Sequence, residues 1–118
     1  MTWKDTLKEG QELVLATSSK DGKPHTIVVV SQGFVDKKLL LNVVFMKTTL
    51  ENIKTNNKVS IITKFDSKYY RIEGNATFYT SGKYFDTAID REKEFTIKGV
   101  LVIDIQEVYS LDPQKKIL

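Results

Sequence analysis

The sequence predicts a mainly β fold: a six-stranded antiparallel barrel with short flanking helices, formed by a single domain over residues 1–118. The length of 118 residues lies within the usual range for one domain. Six β-rich segments recur along the chain, separated by short turns or short helical segments. Two of them, at residues 27–30 and 100–103, are apolar without alternation and must be covered on both faces. A barrel covers one face and removes most sheet edges.

The first part of the chain is predicted to form a short helix and a three-stranded meander. Thr2 and Asp5 are spaced as in a capped helix start, and Gly10 is the expected helix end. The Asp21-Gly22 pair predicts a hairpin turn, because both residues tolerate positive φ. The three strands are predicted over residues 12–17, 26–32 and 39–44.

A short helix is predicted next, within residues 47–57. Thr48 and Glu51 have the spacing of a capping box, and the Asn56-Asn57 pair suits a left-handed helix end. Strands follow at residues 58–65 and 69–79. Gly74 interrupts the apolar register of the second, which predicts a bulge or a close approach of two backbones.

The last part of the chain is predicted to contain one amphipathic helix and one long strand. The helix opens at Ser81-Gly82 and runs to about Glu94. Its apolar face is predicted to consist of Tyr84, Phe85, Ala88 and Ile89. Its polar face is predicted to consist of Asp86, Asp90, Arg91 and Glu92. The strand covers residues 96–109, and a tail containing Pro113 follows.

Composition excludes several classes of function. The chain has no cysteine, which rules out disulfides and thiolate metal sites, and one histidine, His25, which cannot build a His-rich metal site. The net charge of +3 arises from mixed charges without the basic tract of a typical nucleic-acid module. We expect a cytoplasmic protein, because the sequence has neither a bilayer-length apolar stretch nor a recognisable secretory signal.

The start of the middle helix is a candidate anion site. Lys47, Thr48 and Thr49 would place one ammonium, two hydroxyls and the free N–H groups of the first turn together. Such a group of donors suits a phosphomonoester. The alternative is an ordinary helix cap with an exposed lysine, which Glu51 favours.

The doubly apolar strands also predict a partner. A barrel interior covers one face of residues 27–30 and of residues 100–103. The other face needs a helix or a second subunit. A homodimer is therefore expected.

Three segments of the sequence carry recognisable motifs. The first runs from Ala16 to His25, with its Gly-x-Pro turn, and is followed by a valine-rich strand. The second covers residues 47–60, with a helix exit of two asparagines followed by Val59, and the third covers residues 69–76 with a Glu-Gly pair. Together these segments resemble the FMN-binding split-barrel family related to pyridoxamine 5′-phosphate oxidase, which implies a six-stranded barrel that binds two FMN molecules across a dimer interface.

The same resemblance implies particular cofactor contacts. The strand beside the isoalloxazine ring would be formed by Ile27, Val28, Val29 and Val30, chiefly through its backbone. The third strand would meet the ring and ribityl chain at Asn42 and Val43. The phosphate would lie at Lys47, Thr48 and Thr49, and Arg71 lies near a family position that reaches the cofactor. Catalytic side chains are not identified, and the tail lacks the substrate-binding Arg-x-His segment of the oxidase.

The function implied by the resemblance is a flavin-dependent oxidoreductase acting on an unknown small molecule. The alternative in the same pocket is a flavin carrier or sensor without turnover. A rival from another class is a barrel that binds single-stranded nucleic acid through strand aromatics and nearby cations. Its surface would comprise Tyr69, Tyr70, Phe78, Tyr79, Lys64, Lys68 and Arg71.

Overall fold

A computed structural model of the chain describes residues 2–111 and 114–118. It begins with a 3-10 helix at Trp3–Leu7, in which the Thr2 N–H donates to Asp5 Oδ2 at 2.8 Å. The remaining elements in chain order are β1 (Glu12–Ser18), β2 (Pro24–Val35), β3 (Lys38–Val43), α1 (Lys47–Thr55), β4 (Lys58–Phe65), β5 (Lys68–Tyr79), α2 (Lys83–Arg91), β6 (Gly99–Leu111) and β7 (Gln114–Lys116). The predicted tail at Pro113 lies outside the described residues.

The strands form one antiparallel sheet that closes on itself. Its order is β3-β2-β1-β4-β5-β6-β7, and β3 also pairs with β6, which completes a six-stranded barrel. This confirms the predicted fold class. The short β7 adds to β6 outside the barrel and is absent from the sequence prediction, because its three exposed polar residues carry no apolar periodicity.

Two apolar clusters explain how the strands are covered. The barrel interior contains Leu15, Leu41, Ile61 and Leu101, and each has no more than 1% of its surface exposed. A second cluster lies outside the barrel beneath α2 and comprises Leu40, Ala88, Ile97, Val100 and Val102.

The two doubly apolar segments are covered differently. Residues 100–103 lie between the barrel interior and the α2 cluster, so this part of β6 is covered within one chain. Within β2, Val29 is buried, whereas Val28 and Val30 are 66% and 45% exposed. Of these two segments, residues 27–30 are therefore the one whose outer apolar face is left uncovered by the described residues.

The predicted middle helix is confirmed as α1, but both of its predicted caps are wrong. The helix begins at Lys47 after Met46, so Thr48 lies inside the first turn and forms no capping box. Asn56 is extended, with φ −147° and ψ 101°. The chain enters β4 without a left-handed residue because Asn57 already belongs to the sheet edge, where its carbonyl accepts the Ala76 N–H at 2.8 Å.

Two glycines lie at register shifts in the barrel. The predicted bulge at Gly74 is confirmed by the shift between Glu73 and Gly74, where β5 crosses β6 closely. Gly33 lies just beyond the strand predicted at residues 26–32, but it belongs to β2, with φ +82°, in a register shift between Ser31 and Phe34. This second bulge lets β2 pair with β1 at one end and with β3 at the other.

The helix α2 is shorter than predicted, and its apolar face is narrower. It ends at Arg91, and Ile89 is 47% exposed and does not share the buried face of Ala88. Across residues 2–111 and 114–118, no helix combines the length and apolarity needed to cross a membrane.

Candidate functional site

A cavity of about 590 Å³ opens where β2 and β3 separate. Within the described chain, β2 pairs with β3 only from Ser31 onward, while its earlier residues 24–30 pair with β1 alone. The cavity occupies this split. Its walls are residues 27–30, Asn42, the segment 44–46 before α1, and side chains that follow α2. Its volume lies in the range of sites that hold cofactors or drug-sized ligands.

The β2 wall offers backbone groups to a ligand. The Ser31 N–H and C=O bond towards the β1 side, to Gln11 and Gly10, both at 2.9 Å. Because peptide groups alternate in direction along a strand, those of Val28 and Val30 point away from β1 and towards the split. A planar polar ligand can therefore pair with this edge as a further strand would.

The α1 end of the cavity offers anion-binding groups. The first hydrogen bond within α1 runs from the Leu50 N–H to the Met46 carbonyl at 3.0 Å. The backbone N–H groups before Leu50 therefore have no acceptor within the helix. Among the described residues no side chain caps this end. Lys47 and Thr48 are exposed, and Met46 lines the cavity, so the helix start adjoins it.

Three polar side chains form the remaining wall. Glu92 Oε1 accepts hydrogen bonds from Gln32 Nε2 at 3.2 Å and from Asn42 Nδ2 at 3.0 Å. Glu92 Oε2 accepts from the N–H groups of Glu94 at 3.0 Å and Phe95 at 3.2 Å. Backbone donors, followed by the Asn42 amide, hold the pKa of Glu92 below the usual range for glutamate, so it is ionised at neutral pH.

Arg91 fixes the strand that carries this wall. Its Nη1 donates to the carbonyl of Gln32 at 2.7 Å, and both terminal nitrogens lie 3.3 Å from the carbonyl of Phe34. These two carbonyls flank Gly33, so Arg91 binds α2 to the β2 bulge. The prediction that Arg91 and Glu92 belong to a solvated helix face is wrong for both side chains.

The structure brings together part of the predicted cofactor set. Ile27, Val28, Val29, Val30 and Asn42 all line the cavity. Lys47 and Thr48 lie at its α1 end.

Three other predicted residues are placed elsewhere. The Val43 side chain is 1% exposed and belongs to the barrel interior. Thr49 is 1% exposed on the inward face of α1, so it does not present an open hydroxyl beside Thr48. Arg71 lies on β5 beside a separate depression, stacked 4.5 Å from the Tyr109 ring centroid.

The aromatics of the nucleic-acid alternative do not form one surface. Tyr69 and Tyr79 are partly exposed but lie at opposite ends of β5, about 33 Å apart at the usual rise per residue. Phe78 packs against the barrel core. A base-stacking platform needs adjacent exposed rings, so the structure gives this alternative no support.

Solved structures similar to this chain share its fold at low sequence identity. Group A Streptococcus HupZ is 23% identical, with 92% of this chain and 90% of that chain covered and a TM-score of 0.82. An FMN-binding protein from Syntrophomonas wolfei is 17% identical, with 84% and 76% covered and a TM-score of 0.74. An F420 reductase is 16% identical, with 92% and 96% covered and a TM-score of 0.72. No curated protein sequence matches the chain.

The sequence itself matches a family model over nearly its whole length. The model is described as pyridoxamine 5′-phosphate oxidase and matches residues 2–112. That span includes the six barrel strands, both cavity walls and α1. The chain therefore belongs to the pyridoxamine 5′-phosphate oxidase family.

Proposed function

We propose that this protein binds FMN in the split between β2 and β3 and acts as a flavin-dependent oxidoreductase. The observation that carries the proposal is the open first turn of α1 next to an apolar cavity with a free backbone edge. The ring system of a flavin is planar, apolar on its faces and polar at its edge. Its phosphate needs clustered donors, and the N–H groups of a helix start with Lys47 and Thr48 supply them.

We further propose that two copies associate through the outer face of β1 and β2. Strand register places Val28 beside Val14 and Val14 beside Ile62 on one face. Val14, Val28 and Val30 are 37%, 66% and 45% exposed, and Phe45 at the cavity mouth is 87% exposed. Contiguous exposed apolar surface of this kind marks an interaction site. A second copy would cover it and close the cavity against water.

Association would also give Arg71 a role at the cofactor. Arg71 pairs in register with Ile62, so it lies on the same outer face as Val28, three strands or about 14 Å away. That distance separates it from the cavity of its own chain. Across a two-fold interface on this face, Arg71 would approach the cavity of the other subunit.

The chain's own residues have three tasks in this proposal. When bound, FMN supplies the hydride and electron transfer chemistry. The α1 start with Lys47 fixes the phosphate, the β2 edge orients the ring, and Phe45 with Phe95 limits water access. The alternative within the same site is a flavin carrier or sensor that does not turn over.

The double substitution Lys47→Ala with Thr48→Val tests the phosphate anchor. We expect it to weaken FMN binding about 100-fold, the loss of two charge-assisted hydrogen bonds. Riboflavin, which lacks the phosphate, should lose less than about threefold. Fluorescence quenching titrations measure the dissociation constants of FMN and riboflavin. A parallel titration with F420 tests whether the protein prefers a deazaflavin.

A matched control exists in the same helix. Lys54 and Thr55 form a second Lys-Thr pair at the other end of α1, and both are exposed. Lys54→Ala with Thr55→Val changes the same charge and the same side chains without touching the anion site. It should leave both flavin affinities within about twofold. Equal losses of FMN and riboflavin in the first variant would contradict the anchor.

Turnover is tested separately from binding. We expect NADH or NADPH to bleach the flavin absorbance of FMN-loaded protein in a stopped-flow experiment. The reason is that bound FMN would itself supply the hydride-accepting chemistry. Flavin that stays oxidised with every nicotinamide and deazaflavin donor would favour the carrier or sensor instead.

A further inference from the structure

A buried polar contact joins α1 to the barrel. Asn52, on the inward face of α1, donates from Nδ2 to Oγ1 of Thr17 on β1 at 3.0 Å. The two residues are 6% and 5% exposed, so the bond is shielded from water. Asn52 shares this face of the helix with the core residue Ile53. A buried amide needs a hydrogen-bond partner, and Thr17 provides it.

Within residues 2–111 and 114–118, this is the one side-chain hydrogen bond that ties α1 to another element. The Thr55 hydroxyl donates to the Asn52 carbonyl at 3.2 Å, a bond that stays inside the helix end. Apolar packing such as that of Ile53 has no direction. A single buried polar contact can fix the register of a helix, as buried asparagines do in coiled coils. The bond to Thr17 therefore fixes how α1 is rotated and shifted on the barrel.

The bond lies between the two halves of the proposed flavin site. Thr17 pairs in register with His25 on β2, two residues before Ile27 at the ring wall. Asn52 follows Lys47, the first residue of α1, by five residues, which is about 7.5 Å along the helix axis. A rotation or shift of α1 at Asn52 would therefore move the N–H groups of the first turn relative to β2.

We propose that Asn52 is a positioning residue that, through Thr17, sets the distance between the phosphate anchor at the start of α1 and the ring wall on β2. This inference rests on the proposed flavin site. In the described chain the cavity walls do not include Asn52, so it acts through the helix and not on the ligand. The phosphate is recognised fully only while α1 is held at this position on the barrel.

Replacing Asn52 with leucine and Thr17 with valine tests this role. Both replacements are apolar and similar in size, and removing both partners leaves neither one unpaired, so the fold should be retained. The preference for FMN over riboflavin should fall about tenfold, which corresponds to one charge-assisted hydrogen bond at the phosphate. Riboflavin affinity should stay within about twofold, because the ring wall is unchanged. Fluorescence quenching titrations measure both dissociation constants.

Phosphorus NMR of bound FMN gives a readout that a general loss of stability does not move. In the double variant, the phosphorus resonance should shift towards that of free FMN, while the visible absorption bands of the ring keep their bound positions. Thr17→Ser retains a hydroxyl for Asn52. It should keep both the wild-type preference and the wild-type resonance.

A matched control involves the 3-10 helix. Thr6 Oγ1 donates to Thr63 Oγ1 on β4 at 2.8 Å, and both residues are buried. Thr6→Val with Thr63→Val likewise removes a buried hydrogen bond between a helix and a strand, but it involves neither α1 nor β2. It should leave the preference for FMN within about twofold of the wild type.

The outcomes separate this inference from the proposed function. A double variant that keeps the full preference, or that loses FMN and riboflavin equally, overturns the role of Asn52 alone, and so does the same loss in the control. A folded wild type without any preference for FMN overturns the phosphate anchor and this inference with it. One that binds neither flavin overturns the proposed function. Should the double variant fail to fold, Thr17→Val alone breaks the same bond, and an unchanged preference there overturns the inference.

Discussion

Replacing Val28 with aspartate is expected to convert the proposed dimer to a monomer and to weaken the proposed FMN binding with it. Val28 is the most exposed of the three valines on the β1–β2 face, at 66%. Burying a carboxylate without a partner in an apolar interface costs about 4 kcal/mol. The dimer dissociation constant should rise about 1,000-fold, which sedimentation velocity across a micromolar concentration series will measure.

Ile89→Asp is the matched control. Ile89 is another exposed apolar residue, at 47%, but it lies on α2, away from the β1–β2 face. Ile89→Asp should leave both the proposed dimer and the affinity for FMN unchanged. A wild type that is monomeric at every concentration would contradict the proposed interface. A Val28→Asp dimer of wild-type strength would place the interface elsewhere on the surface.

Measuring FMN affinity across the same concentration series tests whether both subunits contribute to each proposed FMN site. If the partner subunit completes the cavity, FMN binding and dimerisation are linked, and each should strengthen the other. Wild-type affinity for FMN should then fall on dilution below the dimer dissociation constant. Affinity that does not change on dilution would mean that one chain holds the cofactor alone, and Arg71 would then have no access to it.

The sequence predicted the barrel because the deciding signals are local. Strand segments, the Asp21-Gly22 turn and the bulge at Gly74 each depend on neighbouring residues, and the structure confirms all three. The rule that a doubly apolar strand must be covered on both faces also held for residues 100–103. Which element covers a strand depends on tertiary packing. The sequence therefore could not predict that α2 covers β6 and leaves β2 open.

The polar wall of the cavity was not predicted, for two physical reasons. Glu92 is 50 residues from Asn42 and 60 from Gln32, so spacing along the chain carries no information about their contact. Helical periodicity then placed Glu92 on a solvated face, but α2 ends at Arg91, and the period does not extend to the next residue. A signal was present in β2 and β3, where Asn42 interrupts the apolar run 39–46 and Gln32 closely follows the apolar run 27–30.

Replacing Gly74 with valine is expected to destabilise the barrel by about 3 kcal/mol or more. A Cβ at this position would lie 2.4 Å from the backbone carbonyl oxygen of Asp104 and 3.1 Å from its carbonyl carbon. Backbone atoms of β6 cannot move aside without breaking the ladder that joins β5 to β6. The thermal midpoint should fall by roughly 10 °C, measured by differential scanning calorimetry.

Gly22→Ala separates this steric collision from the conformational preference of glycine. Gly22 has φ +88° and open space around its Cβ position, so alanine there meets only backbone strain, about 1–2 kcal/mol. At Gly74 the φ is not in the positive region, so the cost should arise from the contact of the added Cβ alone, and Gly74→Ala should already lose most of the stability that Gly74→Val loses. A Gly74→Ala variant as stable as the wild type would contradict that cause. The bulge at Gly74 bends β5 across β6. A large loss of stability in Gly74→Val would therefore also show that the barrel closes properly only when residue 74 has no side chain.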